Sequence, residues 1–72
     1  MLTNTQLLDE KIEASGLKVS FIIKNLGISD TAFYKKKKGE TPFRVAEMKV
    51  ISYLLHLTDE EVEEIFFSKS TV

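Results

Sequence analysis

The sequence predicts an all-α protein of five short helices, and three observations carry that expectation. Five separate stretches begin with an apolar pair five residues apart, the spacing of a hydrophobic staple across a helix start: Leu2 and Leu7, Leu17 and Ile22, Ile28 and Phe33, Phe43 and Met48, Leu57 and Val62. Within each stretch apolar residues recur at helical spacings. Tight turns join them, with no strand-like alternation and no internal repeat. A composition of 43% apolar and 29% charged residues is that of a globular chain rather than a disordered one. The length suits a single domain over residues 1–72, whose core is expected to supply about 3–5 kcal/mol of stability.

The first helix is expected to start at Asn4, because Thr3 and Gln6 have the spacing of a capping box. Leu7, Leu8 and Ile12 form its inward stripe, Asp9, Glu10 and Glu13 face water, and Gly16 ends it. The second helix runs from about Val19 to Leu26 and stops at Gly27. Its cap would be Lys18, which offers no acceptor to free N–H groups and whose charge opposes the helix dipole. Ser29 is a good cap for the third helix, with Ala32 and Phe33 inward, Asp30, Thr31, Tyr34, Lys35 and Lys38 outward, and Gly39 at the stop.

Residues 40–43, with the only proline, connect to a fourth helix from about Arg44 to Leu57. Its inward stripe is expected to be Val45, Met48, Ile51, Leu54 and Leu55, and Arg44 repeats the anomaly of a basic cap. The fifth helix has the clearest start, with Thr58 and Glu61 as capping box and three acids in its first turn. Val62, Ile65 and Phe66 point inward, and residues 68–72 are expected to fray.

Charge is unevenly spread. The net value is −1, yet residues 17–44 hold seven basic side chains against two acidic ones, while both flanks are acidic. A basic centre steers one face toward an anion. The chain has no cysteine, which removes disulfides and thiolate metal sites. It shows no signal peptide and no apolar run long enough to span a bilayer, so a cytoplasmic protein without a membrane partner is expected. The single histidine, His56, falls where the last carbonyls of the fourth helix explain it. Without a nucleophile, a phosphate loop or metal-ligand spacing, no enzyme, catalytic residue, cofactor, metal or small-molecule substrate is expected.

Val19 to Lys38 reads as a helix, a turn at Gly27 and a second helix with a polar outer face ending in four lysines, the order of a helix-turn-helix. The stretch GLKVSFIIKNLGISDTAFYKKKKGE resembles the phage repressors and Cro proteins, the lambda-repressor-like domains, and the likeness extends over about residues 5–67. The resemblance implies a compact five-helix arrangement and a transcription regulator that binds operator DNA. It also implies a homodimer on a roughly palindromic site, with recognition helices about 34 Å apart. With the third helix in the major groove, Thr31, Tyr34 and Lys35 would read base edges, and Asp30 would accept from cytosine N4 or merely complement the helix dipole. Lys18, Lys38 and Arg44 would meet phosphates.

Several positions depart from that family. Val19 and Phe21 are apolar where such domains usually face water with polar residues, Ile23 replaces a small alanine, and Lys37 stands where an apolar anchor is usual. The fourth helix carries a second apolar stripe, Ala46, Val50, Tyr53 and Leu57, and Phe67 adds to the surplus. Local packing is an alternative home for Val19 and Ile23. Exposed apolar side chains on a small domain point to a protein partner. The alternative function is therefore an antirepressor, similar to the small modulator-of-repression proteins of phage lysogeny switches, that would bind a phage repressor protein through Val19, Phe21, Val50, Tyr53 and Phe67.

Overall fold

Each of the five stretches is helical: α1 is Thr5–Ser15, α2 Val19–Leu26, α3 Asp30–Lys37, α4 Val45–Leu55 and α5 Asp59–Phe66. The computed structural model describes residues 3–67, and no strand occurs among them. The expected fraying of residues 68–72, and Leu2 of the first staple, lie outside the described residues. α1 packs on α4 and α5, α2 on α3 and α4, and α4 on α5.

Most helix starts follow the cap residues. Ser29 Oγ accepts from the Ala32 N–H at 3.1 Å. Thr58 Oγ1 accepts from the Glu61 N–H at 3.1 Å while Glu61 Oε1 accepts from the Thr58 N–H at 2.9 Å, a complete capping box. α1 differs by one residue. Its cap is Asn4, whose side chain accepts from the Leu7 N–H at 3.1 Å, so the helix begins at Thr5 and Thr3 is not the cap. Asparagine caps at least as well as threonine, and the Asn4 N–H donates to the Ile65 carbonyl at 2.7 Å, which fixes the chain at that residue.

The other boundary that moved is the end of α4, which stops at Leu55 rather than Leu57. His56 takes the left-handed conformation, φ 55° and ψ 48°, and the Leu57 N–H reaches back to the Ser52 carbonyl at 3.0 Å. This is the termination that glycine usually makes, here carried by a residue with a Cβ. A left-handed non-glycine residue costs about 1 kcal/mol, and the His56 side chain is exposed. His56→Gly is therefore expected to raise the thermal midpoint by roughly 4–8 °C, measured by thermal unfolding. An unchanged midpoint would mean that the histidine side chain offsets the backbone cost.

The core is formed by Leu8 and Ile12 of α1, Ile22 and Ile23 of α2, Phe33 of α3, Phe43 before α4, Ile51 and Leu55 of α4, and Ile65 and Phe66 of α5. Three rings run through it edge to face, Phe33 on Phe43 at 6.2 Å and Phe43 on Phe66 at 5.4 Å. Two expectations are corrected here. Val45 is not inward: it is 64% exposed, because six residues at 100° per residue turn it about 120° away from Ile51, and Phe43 fills the core at that end. Val19, apolar at a position expected to face outward, is partly buried against the core, and Ile23 is buried there too, the local packing that was the alternative for both.

Candidate functional site

α3 joins the core through one fully buried side chain, Phe33. Asp30, Thr31, Tyr34, Lys35 and Lys38 are all exposed, the face that helical spacing selected. The Tyr34 ring sits edge-on to Phe33 at 5.4 Å, with the Lys37 ammonium 5.1 Å from its centroid. Asp30 occupies the first turn, where a carboxylate complements the helix dipole.

The four consecutive lysines divide into two pairs. Lys35 and Lys38 point to water. Lys36 and Lys37 turn inward and are consumed by the fold. Lys36 Nζ bonds both carboxylate oxygens of Glu47, at 2.7 and 2.8 Å, and the two side chains are only 14% and 10% exposed. Glu47 Oε1 also accepts from the Arg44 N–H at 2.8 Å. Burial alone would raise the Glu47 carboxyl, but the Arg44 N–H and the Lys36 ammonium together hold it below the usual carboxylate range. Lys37 Nζ bonds Asp9 Oδ1 at 2.8 Å, and the Lys37 carbonyl accepts from Thr5 Oγ1. One lysine thus ties α3 to α4 and the next ties it to α1.

Sequence reasoning counts Lys36 and Lys37 in the basic run and leaves Asp9 in water, and so finds neither ion pair. One signal was available: Glu47 stands at the third position of a helix whose cap, Arg44, has no acceptor to offer, which leaves the carboxylate to bond the cap N–H.

Lys18 and Arg44 cap α2 and α4 without a side-chain capping bond to the helix, as expected of basic residues. Both are exposed, as is Lys24. With Lys36 and Lys37 paired, residues 17–44 retain five exposed cations, Lys18, Lys24, Lys35, Lys38 and Arg44, against the exposed acids Asp30 and Glu40. Its unpaired excess is thus +3 rather than +5.

Of the apolar candidates, Phe21 is 46% exposed on α2, Tyr53 is 79% exposed on α4, and Phe67 is exposed at the end of α5. Val50 is partly exposed on the outward side of α4. Among the described residues no three potential metal ligands come together, and no helix is long and apolar enough to cross a membrane.

No family model, curated protein or solved structure matches the chain.

Proposed function

We propose that this chain is a lambda-repressor-like helix-turn-helix domain that binds operator DNA through α3 and regulates transcription. The observation that carries the reading is the exposed face Thr31, Tyr34, Lys35 and Lys38 on a helix whose opposite side is anchored by Phe33 and two ion pairs. In the major groove Lys35 would donate to guanine O6 and N7, Thr31 and Tyr34 would use hydroxyls, and Asp30 would accept from cytosine N4. Lys18, Lys38 and Arg44 supply the charge for phosphates. The reading places the protein in the cytoplasm, as a homodimer on a palindromic site, with no catalytic function and no cofactor.

The test is a gel-shift titration against DNA from upstream of its own coding sequence, at low and moderate salt, with and without the neighbouring phage repressor. Selective binding that weakens steeply with salt supports the reading. Lys38→Ala is expected to reduce the salt slope by about 1, the signature of one lost phosphate contact. A slope equal to that of the parent removes Lys38 from the interface.

One observation favours a second reading. Phe21, 46% exposed, is an apolar ring on a helix-turn-helix surface that DNA would not reward. It suits an antirepressor that keeps the scaffold and binds a repressor protein. Phe21→Ser is then expected to leave the circular dichroism spectrum intact and abolish association with the repressor. A melted spectrum would instead assign Phe21 to the core.

A further inference from the structure

We infer that Lys36 and Glu47 are positioning residues for α3: the buried ion pair between them sets the rotation of that helix and so decides which of its side chains face a ligand. The inference rests on the DNA reading for its functional consequence, but its physical basis does not depend on it. α3 is eight residues long and contributes one fully buried side chain, Phe33. A single apolar knob fixes where a helix sits without fixing its rotation about its own axis. At about 100° per residue Lys35 and Lys38 lie about 60° apart around the axis, so a rotation of about that size would bring one to the place of the other.

What restrains the rotation is polar. Lys36 Nζ is held by both oxygens of Glu47 at 2.7 and 2.8 Å, and the same carboxylate is immobilised by the Arg44 N–H at 2.8 Å. The carboxylate is therefore fixed to the first turn of α4 before it receives the lysine. On the α1 side, Lys37 meets Asp9 and its carbonyl accepts from Thr5, but Asp9 is half exposed and its pair is open to water. The Lys36–Glu47 pair, screened from solvent, is the stiffer of the two ties.

This role separates cleanly from a phosphate contact. Replacing both partners together, Lys36→Met with Glu47→Gln, removes one positive and one negative charge, leaves the net charge unchanged and strands no buried ion. Electrostatics alone then predicts unaltered DNA affinity. Positioning predicts a loss of about tenfold, the scale of one disrupted base contact, with the salt slope unchanged because no phosphate contact is lost. The single variant Glu47→Gln, whose amide oxygen can still accept from the Arg44 N–H and so keeps the start of α4 capped, sharpens the sign: deleting an acid from a DNA-binding protein should tighten binding, whereas loss of positioning should weaken it.

The experiment is a salt-dependent binding titration of the parent, the double variant and Glu47→Gln, paired with native-state amide exchange of each protein without DNA. Faster exchange confined to the α3 amides, with α2 and α5 protected as in the parent, together with weaker binding at constant slope, is the expected result. Parental affinity in the double variant, or tighter binding by Glu47→Gln, overturns the inference. So does exchange that rises equally in every helix, which would make the pair a general stabiliser. If the parent binds no DNA, the DNA reading fails by itself, and the α3 amides still decide whether the pair holds the helix.

Discussion

Phe33→Ala is expected to leave about half or more of the protein unfolded at 25 °C. Phe33 is fully buried, is the only buried residue of α3, and bridges Tyr34 and Phe43 edge to face at 5.4 and 6.2 Å. Truncating a buried phenylalanine costs about 3–5 kcal/mol through lost transfer energy and the cavity left behind. A domain of this size draws roughly the same 3–5 kcal/mol from its core. Cost and stability are therefore equal in size, and the folded state should lose its majority. Far-UV circular dichroism with a urea titration checks it: the variant should show a reduced starting signal and a midpoint near zero urea, and a transition near the parent midpoint would mean that α3 collapses into the space.

Glu47→Ala comes next. It strands the Lys36 ammonium in a site only 14% exposed, and it removes the acceptor of the Arg44 N–H at the start of α4. Breaking one side of a fully buried pair costs about 3–5 kcal/mol, and because both side chains here keep some contact with water the cost should be smaller, about 1–3 kcal/mol. Acid should reproduce the loss in the parent protein. The Arg44 N–H and the Lys36 ammonium hold the Glu47 carboxyl below the usual carboxylate range, so it contributes stability that is fully present above that range and is lost as the pH falls through its lower, folded value. The parent's urea midpoint should thus fall as the pH drops from 5 toward the acid limit, and the part of that fall due to Glu47 should be missing in Glu47→Gln. Parallel curves for the two proteins would assign the acid sensitivity to other groups.

The helices were legible because each start depends on residues within five positions of one another. Ser29 and Thr58 cap where the sequence places them, and the outward face of α3 follows from helical period alone. Errors arose where a distant partner intervened and, at the two ends of α4, where a local feature breaks the usual pattern. Asn4 displaced Thr3 as a cap because its N–H finds a carbonyl on α5. Val45 was counted inward because it is apolar, although Phe43 had already filled that end of the core. The end of α4 carries no glycine to announce it, since His56 accepts the strained conformation. Lys36 and Glu47 are 11 residues apart, and Lys37 and Asp9 28 apart, across two different pairs of helices. Helical period separates the outward Lys35 and Lys38 from Lys36 and Lys37, but no local pattern names the distant carboxylates that the latter two meet.

The bond from the Asn4 N–H to the Ile65 carbonyl, and that from Thr5 Oγ1 to the Lys37 carbonyl, bring three places together: the start of α1, the end of α5 and the last turn of α3. The start of α1 and the end of α5 therefore lie together beside the C-terminal end of α3. A second module tethered there shares the neighbourhood of whatever α3 holds, at the millimolar effective concentration of a short flexible linker. A module held close to these two helix ends would thus gain avidity at α3, and a bulky one would hinder access to it.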